Sequence, residues 1–287
     1  MWKALLKTMR PRQWTKNAFL FAALVFDGKL FHLTAFLRTL AGFGLFCLIS
    51  SAVYIFNDLL DVESDRQHPV KKNRPIASGK LPASMAMGAG IVLVLLTLAA
   101  GTLLAWQFAL TLLVYFAMML AYSKWLKRVL ILDVLILAAG FVLRVHAGTT
   151  LIVVERFSPW LYVLMTLLAL YLGFGKRRAE LALLAQAASS QRQVFDGYTI
   201  PLLDQFITIV SGTTIVAYSL YTFFRPAAPE SLMLTIPFVV YAIFRYLYLV
   251  QVKHIGGEPE EILLTDRPLQ ISILLWGVAV LSVFYLA

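Results

Sequence analysis

Four residues, Asn57, Asp58, Asp61 and Asp65, close a long apolar run that begins near residue 34. If the helix of that run continues past residue 57, all four lie on one face, because positions three and four apart stack on a helix. Three carboxylates on one face repel one another, so the arrangement calls for a cation. Oxygen-only donors suit magnesium, which takes one or two carboxylates and completes its shell with substrate phosphates and water. Asp58, Asp61 and Asp65 are therefore the expected magnesium ligands and catalytic residues of a site for a diphosphate. Asn57 is an expected substrate contact on the same face, and Glu63 falls off it. A solvated acidic helix end is the plain alternative.

The next segment carries Pro69, Pro75 and Gly79 and reads as a loop. Its Lys71 and Arg74 would grip phosphate oxygens directly after a metal site. Lys72 and Lys80 read as ordinary loop charge, and His68 has no second histidine at ligand spacing. A second basic cluster, Lys176-Arg177-Arg178, ends another apolar run. Its members point in different directions on a helix, and Lys176 and Arg177 are the expected phosphate contacts. Glu180, four residues after Lys176, is placed to pair with it. Arg245 lies about two turns inside an apolar run, where a charge is a functional candidate by default. Asp133, with Lys127 and Arg128 nearby, would bind substrate hydroxyls (those of a ribose, on the resemblance described below) or a second magnesium, or else form a buried ion pair. Arg144 is about 16 Å further along the helix than Asp133, either as a substrate contact or in a structural pairing. Tyr122, Tyr198 and Tyr246 are phenols suited to phosphate oxygens or to a membrane interface.

The elements that must position these groups follow from composition. Of 287 residues, 60% are hydrophobic and only 14% charged, against about 25% charged in a soluble domain. Mean hydropathy is +0.80. Lipid must be the solvent for most of this surface, and no polar linker divides the chain, so residues 1–287 read as one all-α membrane domain. Nine apolar segments are candidate spans: 14–31, 34–57, 83–104, 106–122, 131–152, 159–175, 199–223, 232–252 and 268–286. The first is interrupted by Asp27 and Gly28. With the N-terminus in the cytoplasm, only Lys29, Arg38, Arg156 and Arg225 of the 25 basic residues lie outside, while Arg144 and Arg245 fall within spans. That bias orients the bundle with the acidic motif and the long loops 58–82, 176–198 and 253–267 inside and the C-terminus outside. The formal charge of +10 then speaks for anionic lipids and phosphates rather than nucleic acid. Trp2, Leu5, Leu6 and Met9, with Lys3, Lys7 and Arg10 between them, describe a short helix lying in the interface and ended by Pro11. No segment has the pattern of a cleavable signal peptide. Cys47, the one cysteine, is a packing residue.

Asn-Asp-x-x-Asp-x-x-x-Asp followed by Arg-Pro-x-x-x-Gly, at the end of a second span, resembles the UbiA superfamily of intramembrane prenyltransferases. That resemblance implies nine helices around a central cavity and two aspartate-rich motifs. The second motif departs from the family. Where aromatic prenyltransferases carry Asp-x-x-x-Asp after the sixth span, this chain has the basic cluster at 176–178, with Asp196 and Asp204 eight residues apart. One branch, the decaprenyl-phosphate phosphoribosyltransferases, is similar along nearly the whole chain. The likeness runs through residues 10–17, Tyr122, Lys127, Asp133, residues 144–148 and 175–180, Tyr198, residues 244–246, 256–260 and Asp266. It implies two phosphorylated substrates, phosphoribosyl diphosphate and a polyprenyl phosphate, and transfer of 5-phosphoribose between them. An aromatic or quinone prenyltransferase using the same first motif is the nearest rival, and a lipid or phosphate transporter without chemistry a more distant one.

Overall fold

A computed structural model describes residues 1–155, 158–187, 197–224, 230–253 and 259–285, with side chains at 183–187 and 259–261 outside that description. Arg156, Arg192, Asp196, Arg225 and the 256–258 stretch therefore lie outside the described residues. Most of the described chain is helical, an arrangement that satisfies backbone polar groups within each segment when hydrocarbon surrounds it. Among the described residues, seven helical segments are long and apolar enough to cross a membrane. The chain divides into two compact units.

The first unit comprises Met1–Val25, Lys29–Lys127 and Leu143–Val154. Its centre is α3, Leu33–Leu60. In chain order before it come α1, Trp2–Met9, and α2, Phe21–Phe26. The first expected span, 14–31, is not one helix. Arg10 closes α1 in the left-handed region (φ 52°, ψ 63°), Pro11 opens a 3₁₀ helix over Pro11–Leu20, and Gly28 turns the chain after α2 at φ 76°. The sequence explains this. Arg12, Gln13, Lys16 and Asn17 break the apolar pattern, and Pro11 supplies no N–H.

After α3 comes α4, Val62–Gln67, then the hairpin of α5, Ala83–Leu104, and α6, Trp106–Lys124. Ala105 alone joins the hairpin; its extended backbone (φ −166°, ψ 138°) ends one helix and starts the next. Phe46, Ile49 and Val53 of α3 pack with Phe108, Leu112 and Tyr115 of α6. The C-terminal part of α7, Leu132–Thr149, adds Ala147 to this core. There the backbone of Gly148 runs directly under the Leu20 carbonyl, so close that a Cβ would collide with that oxygen.

The second unit comprises Phe26–Gly28, Arg128–Val142 and Glu155–Ala287. It contains α8, Trp160–Ala187; α9, Ile200–Phe224; α10, Ile236–Gln251; α11, Pro259–Thr265; and α12, Arg267–Tyr285. Helix α8 packs along α9, and α10 along α12. Tyr171 and Phe174 of α8 meet Leu203 and Ile207 of α9 and Ile243 and Tyr246 of α10. The sixth expected span stopped at 175, but α8 continues to Ala187. The basic cluster therefore sits within a helix.

Gly148→Ala must push a methyl group into backbone that cannot rotate away, at a cost of about 1–3 kcal/mol. Gly88→Ala, on the open side of α5 with nothing within 4 Å of its added Cβ, is the matched control. Thermal unfolding in detergent should fall for Gly148→Ala and hold or rise for Gly88→Ala. Equal melting temperatures would refute the close approach of Gly148 to Leu20.

Candidate functional site

The acidic motif is held by nearly continuous helix. The Asp61 N–H donates to the Asn57 carbonyl at 3.0 Å and the Asp65 N–H to the Asp61 carbonyl at 2.8 Å, so the helical spacing survives the break between α3 and α4. At the break Asp61 takes φ −95°, ψ 5°, which turns it relative to its neighbours. Asp58 and Asp65 then share one partner. A single nitrogen of Arg74, Nη1, donates to Asp58 Oδ1 at 3.2 Å and to Asp65 Oδ2 at 2.6 Å. Asp61 instead accepts from Lys127 Nζ at 2.6 Å.

Arg10 adds a third cation. Its Nη2 donates to Asp58 Oδ1 at 2.6 Å, and its guanidinium lies 4.8 Å from the Tyr54 ring centroid. The carboxyls of Asp58 and Asp65 are almost wholly buried, while Arg74 and Lys127 keep about a quarter of their side chains exposed. Asp58 also stands in the last turn of α3, where the helix dipole disfavours negative charge, whereas Asp61 ends α3 and stands at the N-cap position of α4. Burial and dipole both act against the charged form, and three cations offset them.

Arg74, an expected phosphate contact, bridges two carboxylates, and Lys71, the other, is half-buried with its backbone N–H on His68 Nδ1 at 3.3 Å. The same His68 nitrogen accepts from the Val70 N–H, so this histidine orders the loop. Asn57 is half-buried beside the motif and Tyr122 half-buried near the end of α6. Arg10 belongs by sequence to the interface helix and to the shared stretch 10–17, neither of which points to Asp58. It stands 48 residues from Asp58, and only its place before Pro11, where the chain must turn, hinted at a special role.

In the second unit Asp133 is fully buried with both oxygens engaged. Arg177 Nε donates to Oδ2 at 2.7 Å and the Tyr198 hydroxyl to Oδ1 at 2.8 Å. Tyr198 in turn accepts from the Ile131 N–H at 2.9 Å, and Ile131 holds φ 67°, unusual for a β-branched residue. Burial, and then the Asp133 carboxylate that takes its hydrogen bond, push the Tyr198 phenol far above its ordinary range. Asp133 is ion-paired, with Arg177 rather than with Lys127 or Arg128, its expected neighbours, and Lys127 bonds Asp61 instead. Glu180 pairs with Arg177 at 2.6 Å rather than with Lys176. Arg178 is buried, bonding Asp204 at 2.6 Å and the Val250 carbonyl at 2.9 Å. Lys176 is half-buried and makes no hydrogen bond or ion pair among the described residues. Gly175, one residue earlier, leaves room for the Tyr246 hydroxyl, which a Cβ would meet at 2.8 Å.

Two remaining arginines are bound within their own units. Arg144, in the first unit, is buried, with Nε on Asn17 Oδ1 at 2.9 Å, Nη2 on the Tyr115 hydroxyl at 2.8 Å and the Tyr115 ring 5.0 Å from its guanidinium. Arg245, in the second, forms a two-pronged pair with Asp266 at 3.1 and 2.8 Å. That bonding by Arg245 holds the Asp266 carboxyl below its ordinary range. Asp266 also accepts the Leu269 N–H at 2.9 Å and so caps α12.

Among the described residues no three carboxylate, histidine or cysteine side chains converge closely enough to cage a metal unaided. The donors nevertheless fit magnesium. Asp58 and Asp65 already bring oxygens from two helical turns to one cationic nitrogen. Magnesium also takes few protein ligands when phosphates complete its shell.

Residues 18–176 match the model of the UbiA prenyltransferase family. The chain is 36% identical to the decaprenyl-phosphate phosphoribosyltransferase of Mycolicibacterium smegmatis, covering 95% of this chain and 89% of that protein. It is 35% identical to the protein of the same name from Mycobacterium tuberculosis, covering 94% and 90%. Among solved structures it resembles a UbiA homologue from Archaeoglobus fulgidus bound to GPP and Mg2+, with a TM-score of 0.72, 19% identity, and 98% and 99% of the two chains covered. With seven apolar helices long enough to cross a bilayer, the chain is a multi-pass membrane protein, and it belongs to the UbiA prenyltransferase family.

Proposed function

We propose that this protein transfers 5-phosphoribose from phosphoribosyl diphosphate to a polyprenyl phosphate and releases diphosphate. The feature that carries this reading is the basic stretch of α8. Aromatic prenyltransferases of the family need a second acidic motif there, and this chain offers Lys176, Arg177 and Arg178. Full-length similarity to two mycobacterial proteins named for this activity supports it.

The division of labour follows from the charges. Asp58, Asp61 and Asp65 would hold magnesium, which when bound neutralises charge on a diphosphate leaving group. Arg74, Lys127 and Arg10 keep positive charge fixed beside those carboxylates, so the surroundings of the leaving group need little reorganisation. Lys176 and Arg177 take a phosphate of the second kind, on the ribose or on the lipid. Asp133 and Glu180 fix the Arg177 fork from two sides, and a fork already ordered loses less freedom when it binds.

The bond that forms joins a lipid phosphate oxygen to ribose C1. The bond that breaks joins C1 to the diphosphate oxygen, which leaves with the electron pair. A phosphate monoester has a second pKa of about 6, so at neutral pH the nucleophile is already largely dianionic. No protein base has to remove a proton, and the fully engaged Asp133 is not needed as one. Attack from the face opposite the leaving group inverts the anomeric centre. The basic bias of the long loops puts the acidic motif on the cytoplasmic side.

Purified protein with magnesium should convert labelled phosphoribosyl diphosphate and polyprenyl phosphate into a labelled β-linked lipid. It should leave 4-hydroxybenzoate unmodified when given prenyl diphosphate. A prenylated ring in the second assay alone would replace this reading with the aromatic prenyltransferase, no product in either would favour transport, and an α-linked lipid would overturn direct displacement. Asp61→Asn, like added chelator, should lower turnover by at least two orders of magnitude, and retention of most activity would remove Asp61 from the metal site. Lys176→Gln should raise KM for one phosphorylated substrate about 10- to 100-fold, the worth of a charged hydrogen bond, with kcat little changed. An unaltered KM for both substrates excludes a phosphate contact by Lys176.

A further inference from the structure

Helix α1 has two faces that answer to different surroundings. Inward, Leu5 and Met9 join Ile55, Ile76 and Leu81 in one apolar cluster, and the Met9 carbonyl accepts the Ser51 hydroxyl at 3.2 Å. Outward, Trp2 is 81% and Leu6 51% exposed, with Lys3 and Lys7 exposed beside them. Two large apolar side chains flanked by two lysines on one turn-and-a-half of helix match an interface between acyl chains and acidic headgroups. An eight-residue helix is too short to persist in water by itself. Its form therefore depends on what covers both faces.

The C-terminal end of α1 passes directly into the acidic site. Arg10 closes the helix in the left-handed region, with its N–H on the Lys7 carbonyl at 3.3 Å and its own carbonyl accepting the Gln13 N–H at 2.9 Å. A non-glycine residue stays in that conformation only when its surroundings over-determine it. Here they are α1 on one side and, on the other, the bond to Asp58 and the stacking over Tyr54. Trp14 Nε1, just past the turn, bonds Ser51 Oγ at 3.0 Å and anchors the far side of the link to α3. With that end anchored, α1 is held to α3 by Leu5, Met9 and the Met9–Ser51 bond on its inner face, and a shift of α1 carries Arg10 with it.

We propose that α1 is an arm docked on anionic lipid headgroups through Trp2, Lys3, Leu6 and Lys7, and that this docking holds the Arg10 guanidinium at Asp58. The coupling to activity rests on the diphosphate-site reading above, whereas the docking does not. Undocking withdraws one positive charge from the place where a magnesium diphosphate, itself anionic, would bind. Arg10 is a positioning residue here, acting through Asp58.

The test uses the full chain reconstituted in vesicles of phosphatidylcholine alone or with phosphatidylglycerol. A nitroxide at Leu6→Cys reports depth by its accessibility to oxygen, and Cys47, 3% exposed, does not compete for label. Inorganic pyrophosphate with magnesium is the binding probe. Anionic vesicles should bury the label and tighten pyrophosphate binding. Lys3→Gln with Lys7→Gln should weaken docking about fivefold per lysine and bring pyrophosphate affinity toward its value in neutral vesicles. Arg10→Gln should bind weakly in both lipids, and Arg10→Lys should restore the lipid response. A label equally accessible in both lipids overturns the docking. A label that responds while pyrophosphate affinity does not overturns the coupling. If pyrophosphate binds under no condition, the diphosphate-site reading and the coupling fail together, and label depth alone decides the docking.

Discussion

A carboxylate at the end of an apolar helix cannot keep its charge alone, and the first unit is arranged around that constraint. Asp58 stands at the C-terminal end of α3 among buried Ser51, Ala52 and Ile55, where both low polarity and the helix dipole disfavour it. Its partners come from far along the chain: Arg10 from the end of α1 and Arg74 from the loop after α4. Each must be delivered by backbone that would otherwise have no reason to be there. The left-handed turn at Arg10 and the loop ordered by His68 are the local consequences. Removing one partner from such a group leaves a buried charge uncompensated, which is more costly than never having built the pair.

The second unit obeys the same rule with opposite emphasis. There the arginines lie inside a helix and the acids come to them: Asp133 and Glu180 to Arg177, Asp204 to Arg178, Asp266 to Arg245. The Asp133 network is the more constrained. Tyr198 donates to the carboxylate while its oxygen accepts from the Ile131 N–H, and Ile131 adopts a backbone conformation that its branched side chain resists. Strain at one residue and two hydrogen bonds at the next fix where a guanidinium points. This is the kind of support that keeps a binding fork from losing affinity to its own motion.

Much of this was legible in the sequence because it is periodic or local. The apolar runs reported the long helices, the three- and four-residue spacings of Asn57, Asp58, Asp61 and Asp65 reported the helical backbone that carries them, and the single residue between the expected spans 83–104 and 106–122 reported the α5–α6 hairpin. What was not legible is non-local. No spacing rule connects Arg10 to Asp58 or Lys127 to Asp61, 66 residues apart. The Asp61 carboxylate left the company of Asp58 and Asp65 because the helix breaks at that residue, a detail of two dihedral angles. Glu180 was expected to choose Lys176 at four residues and chose Arg177 at three, since Arg177 is already turned toward Asp133. The start of the chain misled for a simpler reason. Its apolar content is high enough for a span, but Pro11 and the polar residues through Asn17 divert it into a 3₁₀ helix before the apolar pattern resumes.

The way the cations are used bears on how such a cluster can serve a substrate at all. A guanidinium carries five N–H donors in a fixed fork. Arg74 meets both Asp58 and Asp65 through one nitrogen, and Arg10 meets Asp58 through one. Both keep roughly a quarter to a third of the side chain exposed, 24% and 30%. Satisfying the carboxylates therefore does not use up the forks. A lysine in the place of Arg74 would put its single ammonium between the two acids and present nothing planar to a further anion. An arginine holds the acids with one edge and keeps its other donors in a fixed orientation, so that a further anion would not have to compete with the carboxylates for the same donor. The choice of arginine at 74, which serves two acids, and of lysine at 127, which serves the single carboxylate of Asp61, follows from that difference in geometry.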